Sequence, residues 1–319
     1  MKHVVVTGGA GFIGSHLVER LVREGKRVIV IDDLSTGNVQ NLVALKGSAQ
    51  LQIIQSKISQ CSDLRGIVEQ AESVYHLAAA VGVELVVRSP IRTLQTNLRE
   101  TEVILEAAAR FGVPLLLASS SEVYGRSQRE AFSEEDDLII GAPTHPRWGY
   151  ACSKLMDEFL ALAYARERVL PVTIARLFNT VGPRQTGRYG MVLPRFIAAA
   201  KAGEPLRVFG NGQQTRCFCY VADAVEALIR LENCARARGE IFNVGGTEEI
   251  SILRLAELVI ETLRSKSSIE LLPYDQAYGT DFEDMLRRKP NVRKLQSTVD
   301  YVPSTPLAKT IEITAGLHM

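Results

Sequence analysis

The chain has 319 residues, 46% of them hydrophobic, enough for one large or two modest domains around a sizeable core. With 37 Lys and Arg against 36 Asp and Glu, and a formal net charge of +1, nothing in its electrostatics calls for nucleic acid or an anionic membrane as partner. No apolar run approaches the ~20 residues of a membrane span and no charged leader with a cleavage site precedes the first one, so a cytoplasmic protein is expected.

Val4-Val5-Val6 reads as a buried strand, Gly8 to Gly14 as a tight turn, and Phe12 to Arg23, apolar at Ile13, Leu17, Val18, Leu21 and Val22, as a helix. Gly8 lets the chain leave the strand sharply, Gly11 admits a pyrophosphate close to the backbone, and Gly14 allows close packing of the helix. Phe12 and Ile13 then carry the free N–H groups of a helix start towards the diphosphate. A second strand, 27–31, ends at Asp32-Asp33, where a carboxylate suits both hydroxyls of an adenosine ribose and would repel a 2′-phosphate. NAD is therefore the expected cofactor, and NADP is not.

Strand-like runs at 27–31, 51–54, 73–77 and 114–118 alternate with helical patterns at 64–70 and 92–111, which predicts an α/β Rossmann fold with a doubly wound parallel sheet. Leu77, Ala78 and Ala79 follow the fourth of its strands as small residues that let backbone lie against a flat ring. The fifth runs into Ser119-Ser120-Ser121-Glu122-Val123-Tyr124-Gly125, a hydroxyl-rich turn at the carboxyl end of a strand, where ligands sit in such sheets. Tyr150 and Lys154, four apart, share one face of the next helix. A lysine ammonium together with an oxidised nicotinamide is expected to pull the phenol towards neutrality and make it a base for a sugar or alcohol hydroxyl.

Later come a strand at 171–179, a Gly/Arg-rich loop at 182–190, a helix from Val192 to Ala202, a strand at 241–244, and Ser251 as N-cap of a helix from Ile252 to Leu263. Arg184, Arg188, Arg195, Arg207 and Arg216 outnumber acids here and suit a diphosphate. The expected division is an NAD-binding domain at 1–178, with 214–244 returning to it, and a smaller interleaved substrate domain at 179–213 and 245–319. The acidic run 132–137 is open between a mobile flap and a solvated loop. Five scattered cysteines suggest free thiols and no metal site, and Cys217 and Cys219 read as one face of a strand.

TGGAGFIG, HLAA, SSSEVYG, YACSK, LFNTVGPR, QTRCFCYVADAVEAL and FNVGG together span nearly the whole chain. The set resembles the extended short-chain dehydrogenase/reductase family that acts on nucleotide sugars. The resemblance implies that Tyr150 takes the proton of the sugar 4-hydroxyl as hydride leaves C4 for NAD. Lys154 would hold the nicotinamide ribose, and Ser120 or Ser121 would meet the C4 oxygen. It also implies a UDP-sugar substrate, with Asn179, Arg188 and Arg216 binding it, and a homodimer through helices near 92–111 and 150–168. Lys57 stands where the family usually has an aspartate for the adenine amino group. The end of the chain, 305–319, is short for the family and gives no firm signal for a last helix.

Within the family, reactions part at the 4-keto sugar, and two features point to decarboxylases. Glu122 stands where plain 4-epimerases carry a small or apolar residue. The run 278–292, ending Arg288-Lys289-Pro290, is similar to the segment of UDP-glucuronate decarboxylases whose arginine lies in the active site, and Arg147-Trp148 is similar to two of those groups. Conversion of UDP-glucuronate to UDP-xylose is the expected activity, with Glu122 managing the C5 proton and Arg288 meeting the carboxylate. The rivals are a UDP-hexose or UDP-uronate 4-epimerase, then a nucleotide-sugar 4,6-dehydratase, for which Ser121 replaces the acid of one type, and lastly an NAD-binding regulator without turnover.

Overall fold

Val4, Val5 and Val6 are all fully buried in β1 (His3–Thr7), because the strand runs through the middle of a parallel sheet covered on both faces. The structure is a computed structural model that describes residues 2–80, 89–187, 191–273, 285 and 287–317. After β1 come α1 (Phe12–Arg23), β2 (Val28–Asp32), β3 (Leu51–Gln55), α2 (Leu64–Glu69), β4 (Ala71–His76), α3 (Pro90–Phe111), β5 (Leu115–Ser120), α4 (Trp148–Arg168) and β6 (Val172–Leu177). The chain continues through β7 (Thr180–Val181), α5 (Val192–Ala202), β8 (Leu206–Phe209), β9 (Thr215–Cys217), β10 (Cys219–Tyr220), α6 (Val221–Glu232) and β11 (Ile241–Val244). It ends with β12 (Glu249–Ser251), α7 (Ile252–Leu263), β13 (Ile269–Leu272), β14 (Arg287–Arg288), α8 (Arg293–Val299) and α9 (Leu307–Thr314).

The large sheet has seven strands among the described residues, in the order β11-β6-β5-β4-β1-β2-β3. Alternation along its strands divides the core. Val4, Val6, Val28 and Val30 face α1 and α6, whereas Val5, Ile29, Ile31, Leu115 and Leu117 face α2, α3 and α4. The connections run both ways from β1, to β2 on one side and to β4 on the other. The carboxyl ends of these strands therefore part around a crevice at the switch point.

A third apolar cluster gathers α5, α7 and α9 with β8. Ser251 caps α7 by accepting from the Arg254 N–H at 3.1 Å. The last helix does form, because Leu307 and Ile311 bury one face in this cluster.

Two expectations change. The return to the large sheet begins at α6 and not at 214, since β9 lies in a separate three-stranded sheet between β12 and β14. Cys217 and Cys219 thus belong to different strands, although both are buried.

The acidic run is neither a flap nor simply solvated. Phe132 is fully buried and stacks on Tyr124, with ring centroids 4.7 Å apart. Its N–H donates to the Lys289 carbonyl and its carbonyl accepts from the Asn291 N–H, both at 2.8 Å. Glu134 Oε1 accepts the Asn243 N–H at 2.7 Å. This loop is the strap that holds the segment following Arg288.

Candidate active site

The site residues expected from the sequence, all but one, line a single cleft of about 620 Å³ at the switch point. They are Gly8, Gly11, Phe12, Ile13, Gly14, Asp32, Leu77, Ala78, Ala79, Ser120, Ser121, Glu122, Tyr150, Lys154, Asn179, Arg216 and Arg288. Arg188 lies outside the described residues, as does most of 278–286.

The glycine turn is a cradle. Gly8 has φ +70°, and a Cβ on Gly14 would collide with the Gly8 carbonyl and Gly9 Cα. A Cβ on Gly11 would meet only the Gly8 carbonyl, at 3.1 Å, so its other side is open to the cleft. Helix α1 starts there without a side-chain cap and without an acid in its first turn, which leaves its N–H groups and its dipole available to a diphosphate. Asp32 accepts from the Ala10 N–H at 2.9 Å on one oxygen and from the Leu34 N–H at 2.8 Å on the other. Each oxygen keeps a lone pair, which suits two ribose hydroxyls. Asn97 of α3 accepts from the Ala80 N–H at 2.7 Å and donates to Ser153 at 3.0 Å, tying the small-residue turn to α4. These residues fit NAD.

Tyr150 and Lys154 face the cleft from the first turns of α4. Burial is the largest effect on the phenol and pushes it up; with Glu122 and Asp157 it outweighs the lowering by the Lys154 ammonium and Ser120. The expected lowering of the phenol includes the charge of an oxidised nicotinamide, which the polypeptide by itself does not carry. Burial is the main cause of the rise; a smaller contribution comes from Asp157, whose Oδ2 accepts from the Lys154 Nζ at 2.9 Å and partly offsets its charge. The two serines separate: Ser120 interacts with Tyr150, whereas Ser121 Oγ lies 3.5 Å from Arg288 Nη1.

At the far side of Tyr150, three arginines converge on one carboxylate. Arg288 Nη1 is 2.6 Å from Glu122 Oε1, and Arg147 Nη2 is 3.5 Å from Glu122 Oε2. Arg216 reaches the same place because β14 pairs with β9 in the register Arg288 to Arg216. Burial raises the Glu122 carboxyl, but Arg288, Arg147 and Arg216 outweigh it and hold it down to about 2. Glu122 is a carboxylate at neutral pH. The sequence marks Arg147 only as part of the Arg147-Trp148 dipeptide, and its distance from Glu122 in the chain carries no signal that the two meet. Asp157 was missed, although a carboxylate three residues after Lys154 on one helix face was readable.

Other expected diphosphate ligands divide. Arg184 lines the cleft, but its guanidinium is taken by Glu19 at 2.6 Å and Ser15 at 3.2 Å, so it clamps α1 instead. Arg195 lies over the Phe209 ring, and Arg207 pairs with Glu270 at 3.4 Å; both line the cleft. Asn179 donates to the Cys217 carbonyl at 2.8 Å, joining the turn after β6 to β9. Lys57 lines the adenine end. Burial pushes the Cys217 thiol up to about 12 and also raises that of Cys219, so neither is a nucleophile.

A doubly wound sheet with a glycine cradle, a ribose carboxylate and a Tyr-x-x-x-Lys helix at one crevice defines a dinucleotide-dependent enzyme. The chain belongs to the NAD dependent epimerase/dehydratase family, which matches residues 4–245. It is an enzyme, and NAD is its cofactor. It is 41% identical over 304 residues to a UDP-N-acetyl-alpha-D-glucosaminuronate decarboxylase of Bacillus cytotoxicus, across 95% of this chain and 93% of that protein. It is 35% identical over 313 residues to UDP-glucuronic acid decarboxylase 1 of Danio rerio, across 98% of this chain and 72% of that protein. A solved UDP-glucuronic acid 4-epimerase from Bacillus cereus, in complex with UDP-glucuronic acid and NAD, superposes with a TM-score of 0.88 at 27% identity, covering 99% of this chain and 98% of that one.

Proposed function

We propose that this enzyme decarboxylates a UDP-uronate through a 4-keto intermediate, with UDP-glucuronate to UDP-xylose as the first reaction to test. The observation that carries the reading is the cluster of Arg147, Arg216 and Arg288 around the single carboxylate of Glu122, beside Tyr150 and Ser120. Arg288 lines the cleft beside Glu122 and is suited to a substrate carboxylate, since an unpaired one would be costly to bury. The names of the decarboxylases to which the chain is similar support the same class.

NAD, when bound, accepts the hydride from C4 and later returns it. Tyr150 takes the 4-hydroxyl proton, with Lys154 beside it and Ser120 donating to the C4 oxygen. Oxidation at C4 makes the uronate a β-keto acid. Loss of CO2 then leaves an enolate whose oxygen the Tyr150 and Ser120 hydroxyls stabilise. Glu122, ionised, orients the water that protonates C5, and Tyr150 returns its proton to the C4 oxygen as hydride comes back. Arg288 holds the carboxylate until it leaves, and Arg216, with Asn179 and Arg188, serves the diphosphate. The wedge of Leu77, Ala78 and Ala79 shapes the ring's side of the cleft.

The reading includes a homodimer through α3 and α4, which expose Ile91, Met156 and Phe159 at 72%, 54% and 63%. It also includes a cytoplasmic site of action, which the five free cysteines suit. Among the described residues no helix is long and apolar enough to cross a membrane. The test is to incubate the protein with catalytic NAD and either UDP-glucuronate or its 2-acetamido counterpart, following CO2 and the product by mass and NMR. Release of CO2 with a UDP-pentose from either one supports the proposal. A UDP-uronate of unchanged mass and inverted C4 makes the enzyme an epimerase.

A further inference from the structure

The ammonium of Lys154 has its own buried counter-ion. Its Nζ donates to Asp157 Oδ2 at 2.9 Å, and the two side chains are 2% and 0% exposed. The neighbouring acid on α4, Glu158, is engaged elsewhere: it meets Arg176 at 3.0 and 2.8 Å and accepts the Ser119 hydroxyl. Of these two acids, Asp157 is the one hydrogen-bonded to Lys154, and Thr101 bonds Asp157 in turn. The groups facing this pair are His76 from β4, which burial keeps neutral, and Thr101 from α3. Tyr150 faces it from the same helix, and Glu122 faces Tyr150 from the turn after β5.

A fully buried ion pair is rarely worth its desolvation for stability alone. The pair has a use at this place. An ammonium has three donors; one goes to Asp157, which fixes the direction of the other two towards the cleft where the nicotinamide ribose belongs.

We infer that Asp157 is a positioning residue of the active site, which aims the Lys154 ammonium, offsets part of its charge, and so sets the pH above which Tyr150 acts as a base. The inference rests on Tyr150 being the base of the proposed reaction. Seven residues of helix separate Asp157 from Tyr150, about 10 Å of rise, at which a unit charge in an effective dielectric near 20 moves a pKa by about one unit. Without Asp157, the lysine charge acts on the phenol undiminished and Tyr150 ionises at lower pH.

The test titrates the full-length protein saturated with NAD and reads phenolate by ultraviolet absorbance, as the difference from Tyr150→Phe in each background. The midpoint for Asp157→Asn is expected about one pH unit below that of the unaltered protein, and Asp157→Glu is expected to restore it. The acid limb of kcat/KM should move with it. An unmoved midpoint in soluble Asp157→Asn overturns the inference; if that variant does not fold, Asp157→Ser replaces it with the same two outcomes. Because the absorbance needs no substrate, a protein that turns over no UDP-uronate defeats the proposed reaction and leaves this result standing. An unmoved midpoint in an active decarboxylase defeats only the role of Asp157.

Discussion

Arg288 and Glu122, 166 residues apart in the chain, form an ion pair 2.6 Å long between β14 and the turn that ends β5. The pair joins the last part of the sequence to the catalytic strand. It also places Arg288, the arginine proposed to meet a substrate carboxylate, on a carboxylate of the protein itself. In the proposed reaction a uronate competes with Glu122 for Arg288, and the charges of Arg147 and Arg216 continue to favour the ionised form of Glu122.

Replacing Arg288 should therefore cost substrate and spare cofactor. Arg288→Ala is expected to lower kcat/KM for UDP-glucuronate by about 10²–10³, the size of leaving a desolvated charge without its partner. NAD affinity, read by fluorescence quenching or calorimetry, is expected to be unchanged, since the cradle lies at the other end of the cleft. Undiminished turnover would remove the carboxylate argument.

Glu122→Gln tests the proposed role of Glu122 at the C5 proton. Oxidation and CO2 loss do not need the carboxylate, but protonation at C5 precedes return of hydride. A single turnover should release CO2 and leave NADH absorbance standing, with steady-state rate down about 10²–10⁴-fold. In the unaltered enzyme, a carboxyl held down to about 2 contributes no limb to the kcat/KM profile in the neutral range. A variant that never accumulates NADH and forms pentose normally would assign the proton elsewhere.

The contrast between the two halves of this site explains what the sequence could and could not reveal. Gly8, Gly11, Gly14 and Asp32 lie within one β-α-β unit, so local spacing and hydrophobic period suffice to bring them to one cleft. Tyr150 and Lys154 share a helix turn, and their face was equally plain. The Arg288 to Arg216 register is different in kind: it depends on a parallel pairing of two short strands seventy residues apart, for which neither strand has a pattern. Phe132 was hidden for a related reason. Its acidic neighbours dominate the local composition, while its burial follows from backbone pairing with residues 289–291. Arg184 looked like a phosphate ligand because composition does not reveal which acid, here Glu19 on α1, reaches it first.

His76 makes stability depend on pH. Its Nδ1 meets the Thr7 hydroxyl at 2.8 Å and its Nε2 the Thr101 hydroxyl at 3.1 Å, and burial, helped by Lys154, lowers it from 6.5 to about 3. The folded state thus refuses a proton that the unfolded chain accepts. This contribution is fully present above about pH 6.5 and is lost as pH falls, by roughly 2–3 kcal/mol by pH 4.5. Urea unfolding across that range should show the loss, and His76→Gln should flatten it. An equal slope in both proteins would mean that other groups set the acid sensitivity.

Phe159 tests the assembly. It is 63% exposed on α4, two positions from the buried Asp157, and Met156 lies beside it at 54%. Exposed aromatic and thioether surface on adjoining turns is what an interface core offers, whereas a monomer would leave it wet. Phe159→Glu places a charge there without entering the monomer's own core, so its folding should be intact by circular dichroism. The expected outcome is a dimer mass for the unaltered protein by light scattering and a monomer mass for the variant. If both run as monomers, the α3 and α4 face is not a self-contact, and catalysis proceeds within one chain.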